Sequence, residues 1–166
     1  TAEISQITSK LLDLNQLFPR AVELIRDRFA YYHVQIFLVD DNRDYANLVA
    51  STGEVGQMLL ERKHRLAVGS TSVIGRVTQL GDAVIATDTD SQNAIHARNE
   101  LLPNTRSELA VAITDGERII GALDVQSTRP NAFAPIDIQT LEVVANQLGT
   151  AIRNARLFET QAANVQ

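Results

Sequence analysis

Apolar positions at the start of the chain follow a helical repeat. Ile4, Ile7, Leu11, Leu14 and Phe18 recur at spacings of three and four between Gln, Lys, Asp and Asn, which predicts an amphipathic helix over residues 2–18. Pro19 then suits the first turn of a second helix, with a kink or break before it, and Val22, Leu24, Ile25 and Phe29 give that helix its apolar face. From Tyr31 to Val39 the period changes to two. Tyr32, Val34, Ile36 and Leu38 share one face and His33, Gln35, Phe37 and Val39 the other, the pattern of a strand. Asp40, Asp41 and Asn42 supply turn chemistry, residues 47–51 read as the returning strand of a hairpin, and residues 65–68 as a third strand.

Gly69, Ser70 and Thr71 lead into Val73, Ile74, Val77 and Leu80, a short helix capped by Ser70 or Thr71 and ended by Gly81. Residues 82–87 read as a strand. Residues 88–106 hold Asp, Asn, Ser and His with only a brief apolar pattern at Ile95, Leu101 and Leu102, which predicts a loop long enough to act as a lid. Two further strands, 109–114 and 118–126, flank Asp115-Gly116, the strongest hairpin signal in the chain. A last helix over residues 135–161 opens on Pro135, with Asp137 placed for the positive end of its dipole. It carries three heptad rows: Leu141, Leu148, Ala155 and Ala162; Ile138, Ala145 and Ile152; and Val144, Ala151, Phe158 and Val165. Such a stripe is broad enough to pack on a sheet and also meet a second helix. The element order predicts an α+β domain with mostly antiparallel strands and helices segregated to the sheet faces.

Composition narrows the chemistry. The 166 residues, 45% hydrophobic and 21% charged, fit one soluble globular domain over residues 1–166. A net charge of -5 weighs against a nucleic-acid partner, whose affinity rests on Lys and Arg displacing counterions. No apolar run approaches the ~20 residues that span a bilayer, and the N-terminus does not resemble a signal peptide, so a cytoplasmic location without membrane contact is expected. The absence of Cys excludes thiol nucleophiles, dithiol redox chemistry, Cys-ligated metal and thioether-linked cofactors.

Five runs in register then carry a family resemblance: Gly69-Ser-Thr-Ser-Val-Ile-Gly75, Asp82-Ala-Val-Ile-Ala-Thr-Asp88, Ser107-Glu-Leu-Ala-Val-Ala-Ile113, Ile120-Gly-Ala-Leu-Asp-Val-Gln-Ser127 and Ala132-Phe-Ala-Pro-Ile-Asp137. Over roughly Leu11 to Leu157 the chain resembles the GAF domain family. The resemblance implies a central six-stranded antiparallel sheet, terminal helices on one face, and on the other a small-molecule pocket roofed by the short helix and loop. It further implies a sensory or regulatory module of a longer signalling chain such as a two-component sensor histidine kinase, often dimeric through its terminal helices. A chain that begins and ends inside helical pattern suits a piece of such a protein. Departures from the family matter: Gln126-Ser127 and Asp137-Ile138 stand where cyclic-nucleotide binders resemble one another in Asn-Lys and Asp-Glu, which disfavours that ligand. Without Cys, neither bilin attachment nor the methionine sulfoxide reductase activity of other members is expected. Ala112 replaces a Pro usual in its strand.

Position within this pattern selects Phe37, Ser72, Ile74, Asp88, Ile95, Arg98, Ser107 and Glu108 as candidate ligand-binding residues. Glu108 reads either as a group aimed into the pocket or as a strand-start residue bonded to backbone; Arg98 and Arg106 either neutralise an anionic ligand or pair with nearby carboxylates. Asp88, Asp90 and His96 have metal-ligand chemistry, but an acidic loop explains them more simply. Haem ligation by His33, His64 or His96 and a Ser72, Asp88, His96 triad are weighed and set aside, the latter because no nucleophile elbow surrounds Ser72. No catalytic residue, metal or cofactor is therefore expected, and the domain is expected not to be an enzyme. Dimer contacts are assigned to Ile4, Ile7, Leu11, Leu14, Leu148, Ile152 and Ala155. The expected function is a small-molecule sensor that passes ligand state through dimeric terminal helices to an effector domain in the same chain; the alternative is a dimerisation spacer with a vestigial pocket.

Overall fold

A computed structural model describes residues 13–165, with side chains through Phe158. Asp13 caps the first described helix, α1 (Leu14–Phe29), its carboxylate accepting from the Asn15 backbone N–H. The break expected at Pro19 does not occur: α1 runs through it. A proline in the second turn forfeits one backbone hydrogen bond, while Leu17, Phe18, Ala21, Val22 and Ile25 are buried on both sides of it and hold the helix together. Residues Ile4, Ile7 and Leu11 lie outside the described region.

The strands are β1 (His33–Val39), β2 (Tyr45–Ser51), β3 (Arg65–Ala67), β4 (Val84–Ala86), β5 (Ser107–Asp115) and β6 (Arg118–Ser127). They form one sheet in the order β3-β2-β1-β6-β5-β4, and every neighbouring pair is antiparallel. Between β2 and β3 stands α2 (Gly53–Glu61), a helix the sequence reading missed because glycines at 53 and 56 resemble loop chemistry. Gly56 sits where a Cβ would come 2.2 Å from the Ser51 carbonyl oxygen, so the glycine is what lets α2 turn back tightly on the end of β2.

Alternation divides the core. Val34 and Ile36 of β1, Leu109, Val111 and Ile113 of β5, and Leu123 and Val125 of β6 face α1 and α4 (Pro135–Val165). On the opposite face Phe37, Ala110 and Ala122 pack with Leu59 of α2, with Val73, Ile74 and Val77 of α3 (Val73–Leu80), and with Leu102. Helix α3 is capped by Ser72, whose Oγ accepts from the Gly75 N–H at 2.8 Å, rather than by Ser70 or Thr71, and Gly81 closes it at φ 88°. At the start of α4, Ala134 has no side-chain acceptor, and Asp137 reaches back to accept its N–H at 2.6 Å.

The dimer contacts assigned to α4 need correction. Leu148 and Ile152 are fully buried, and Ala155 likewise, against the chain's own sheet. A heptad row that covers the core has no surface left for a second copy. Leu14 is half-buried against the same core. What α4 leaves outside is a different row, Ile136, Val143 and Leu157, each more than half exposed at 64%, 53% and 55%, with Phe158 beside it.

Candidate functional site

On the face opposite α1 and α4, the helix α3 and residues 88–106 roof the sheet. Beneath them lies a chamber of about 80 Å³ whose floor is Gln35, Glu108 and Gln126, with Ser72, Val73 and Ile74 in one wall and Ala97 to Asn99 in another. Arg98 and Asn99 also border a wider outer cleft of about 410 Å³, which His96, Leu102 and Thr105 help to line.

Strand register builds the floor. Gln35 is the cross-strand partner of Asp124, and Glu108 the partner of Gln126, so four polar side chains from three strands emerge on one face. Gln35 Nε2 donates to Asp124 Oδ2 at 3.0 Å. Gln126 Nε2 donates to the same oxygen at 3.0 Å and to Glu108 Oε2 at 3.3 Å, while its Oε1 accepts from Thr105 Oγ1 at 2.6 Å. The network continues through Ser51 Oγ, which donates to Gln35 Oε1, to His33, whose Nε2 lies 2.7 Å from that hydroxyl and whose Nδ1 lies 3.2 Å from Thr52 Oγ1.

Two carboxyl groups without a bonded cation are thus buried together. Burial pushes the Glu108 carboxyl up from its ordinary range; burial, then the charge of Glu108, pushes Asp124 well above its own. Asp124 Oδ1 is buried and receives no donor from an amide or cation among the described residues, and the Asp124 and Glu108 carboxyls lie within hydrogen-bonding reach of each other. His96 closes the site from the loop: its Nδ1 lies 2.7 Å from Glu108 Oε1, with both side chains over nine-tenths buried. Desolvation lowers the His96 pKa, against the charge of Asp124. At His33 burial is again the main cause, with Arg26 adding to it, and the pKa falls to about 4.

Of the candidate residues, Ser72, Ile74, Arg98 and Glu108 border the chamber. Phe37 borders neither cavity: it is fully buried in the core of that face, its ring edge-on to His64 at 6.0 Å. Three more need correction. Ser107 is one residue out of phase: it faces away from the chamber and its hydroxyl donates to Arg129 O at 2.6 Å. Asp88 is held outside by Arg106 at 3.2 Å. Ile95 is half-buried in the loop and borders neither cavity. Arg98 borders the chamber, yet its guanidinium turns to Thr89 O at 2.9 Å and Asp90 at 3.2 Å. The imagined Asp88, Asp90, His96 cluster does not assemble, because the two aspartates pair with Arg106 and Arg98 and the imidazole with Glu108.

Gln35, Asp124 and Gln126 were not among the candidates. A signal was present: Asp124 interrupts the otherwise apolar run Ile119 to Val125, and an acid in a strand covered on both faces must be partnered or protonated.

A family model for the GAF domain matches residues 12–153. Among curated proteins no relative was found. Solved structures with this fold include the GAF domain of a phosphoenolpyruvate-protein phosphotransferase from Coxiella burnetii, with a TM-score of 0.83 at 20% identity over 96% of this chain and 94% of that one. A free methionine-R-sulfoxide reductase from Neisseria meningitidis, in complex with its substrate, gives 0.81 at 22% identity over 94% and 87%. Residues 122 to 287 of a methyl-accepting chemotaxis protein give 0.75 at 19% identity over 93% and 98%. At these identities the likeness is one of fold. It nevertheless corrects the expectation that the domain is not an enzyme: reductases share this fold, so enzymatic activity is compatible with it. The 166 residues hold no Cys, so no thiol of this chain could carry such a reaction.

Proposed function

We propose, on the premise that this chain belongs to the GAF domain family, that it is a sensory or regulatory domain which binds a small molecule in the chamber beneath α3 and residues 88–106. The observation that carries this is the floor itself. Glu108 and Asp124 are buried side by side, and among the described residues no Lys or Arg bonds to either. A merely structural sheet face would gain from apolar residues there, since replacing buried charge by packed hydrocarbon is commonly neutral or stabilising.

A chamber of about 80 Å³ falls short of the roughly 300–1,000 Å³ of ordinary ligand pockets. The ligand would therefore place one small polar group on Glu108 and extend past Arg98 and Asn99 into the outer cleft of about 410 Å³. Ser72 belongs to the wall through its cap on α3, so a ligand pressing on that wall would shift α3 as a unit.

The output would pass through α4 as a homodimer in a longer signalling chain, the sensor histidine kinase being the expected kind. Its outward row Ile136, Val143 and Leu157 is spaced by seven and fourteen and would meet the same row of a second copy. Coupling needs the ligand to prefer one arrangement of the helices over the other.

Native mass spectrometry of the freshly purified chain, followed by a denaturing run on the same sample, tests this. A defined small mass lost on denaturation, and absent from Glu108→Gln, is the expected result. A chain that never carries or binds a small molecule would favour the spacer alternative.

A further inference from the structure

Given that the chamber is the ligand site proposed above, we infer that His96 is its tethered occupant: the ligand carries a compact N–H-donating head of the imidazolium, amidinium or primary ammonium kind, which displaces the His96 ring from Glu108 and so releases residues 88–106.

Donor accounting leads to the ligand class. At the floor Gln35 Nε2 donates to Asp124, and both N–H groups of Gln126 Nε2 are engaged, with Asp124 and Glu108. What the chamber presents is the acceptor capacity of Glu108, whose Oε2 has one bond of 3.3 Å to Gln126 and whose Oε1 meets the His96 ring. Arg98, the cation nearest at hand, is turned to Thr89 and Asp90. The carboxyl group that lines the chamber is that of Glu108, which would repel an anionic head and would give an N–H cation a charge-assisted hydrogen bond.

One ring already does part of this. His96 Nδ1 sits 2.7 Å from Glu108 Oε1, and the two side chains are 6% and 7% exposed, so no second donor reaches that oxygen while the ring is present. The segment's other described polar ties are to itself or near its ends: Thr89 to Thr105 and Arg106, Arg98 to Thr89 and Asp90, Arg106 to Asp88 and Asp90, and, at its C-terminal end, Thr105 to Gln126 and Arg106 to Ser127 of the sheet. Its middle is pinned to the sheet through His96 and the buried Leu102, with an exposed pair between Arg62 and Glu100 beside them. Ligand and latch compete for one carboxylate oxygen. Binding would therefore loosen the segment rather than order it.

The test uses imidazole as a stand-in for the lost ring. In His96→Ala, imidazole is expected to bind about tenfold or more tighter than to the unaltered chain, the scale of one charge-assisted hydrogen bond. By hydrogen exchange, residues 88–106 should exchange faster in His96→Ala than in the unaltered chain, and imidazole, which is not tethered to the segment, should not slow them again. His96→Ala with Glu108→Gln should lose that binding. His96→Ser carries the same expectation should the alanine variant fold poorly. Equal affinity in the unaltered chain and His96→Ala, no binding in either, or binding that survives Glu108→Gln would each overturn the inference. A cellular ligand found by native mass spectrometry that slows exchange of residues 88–106 in the unaltered chain would also overturn it while leaving the ligand site in place. A chain that carries no ligand, yet whose His96→Ala variant takes imidazole through Glu108, would fail the broader reading alone.

Discussion

Gln35 on β1 and Asp124 on β6 face each other across the antiparallel ladder, and the Gln35 amide donates to Asp124 Oδ2 at 3.0 Å. The contact gives the buried acid one of its two donors; Gln126 gives the other, to the same oxygen. Both bonds favour ionised Asp124, but burial and the charge of Glu108 outweigh them and raise its pKa well above normal. A group with a raised folded-state pKa contributes stability that is fully present below its unfolded pKa and lost as pH rises through the folded value.

Asp124→Asn should therefore stabilise the domain at neutral pH, by a margin that grows as pH rises. Asparagine keeps one acceptor oxygen for the two glutamines and cannot ionise. Asp124→Ala should instead cost about 1–3 kcal/mol, because it strands two amide donors. Urea denaturation across neutral and alkaline pH reads both, and an Asn variant destabilised by a pH-independent amount would refute the account.

His33 gives the opposite slope. Its pKa is lowered from 6.5 to about 4 by burial, so the unfolded chain takes up a proton that the folded chain refuses. Its contribution is present above about pH 6.5 and lost as pH falls toward 4, by about 3 kcal/mol in order of magnitude. His33→Gln should flatten stability over that window; an unchanged slope would place the acid sensitivity elsewhere.

Gly56→Ala should destabilise by about 1–3 kcal/mol, as overpacking against rigid structure does. The obstacle is the Ser51 backbone oxygen, 2.2 Å from the added Cβ, which cannot rotate away. Thermal unfolding with no loss would show that α2 can shift.

The two faces of α4 can be separated by mutation. Leu148→Ala should cost about 2–5 kcal/mol of stability, as a large-to-small change in a packed core does. Leu157→Glu, on the outward row, should change stability by no more than about 0.5 kcal/mol. It should nonetheless weaken self-association, read by analytical ultracentrifugation. Self-association untouched by Val143→Glu and Leu157→Glu together would remove α4 from the interface.

Much of the sheet was legible because alternation is local. The β1 faces, the Asp115-Gly116 turn and the division between α4-facing and chamber-facing residues follow from neighbours two apart in the chain. Helix α2 was not legible, since its tight turn depends on Gly56 meeting the Ser51 backbone, which glycine's sequence neighbours do not announce. Pro19 misled for a related reason: tertiary burial on both sides outweighs one lost hydrogen bond.

The sequence by itself determined the α+β class, the family, the absence of thiol chemistry and which residues share each face of β1, because these depend on residue type and short-range period. Only the tertiary structure decided that Gln35, Asp124, Gln126 and Glu108 come together on one sheet face and that His96 reaches Glu108. Those contacts join positions up to 89 residues apart and depend on strand register, which no local pattern specifies. It likewise decided which row of α4 is free: heptad spacing tells which side chains align, and what covers them is set by the sheet beneath.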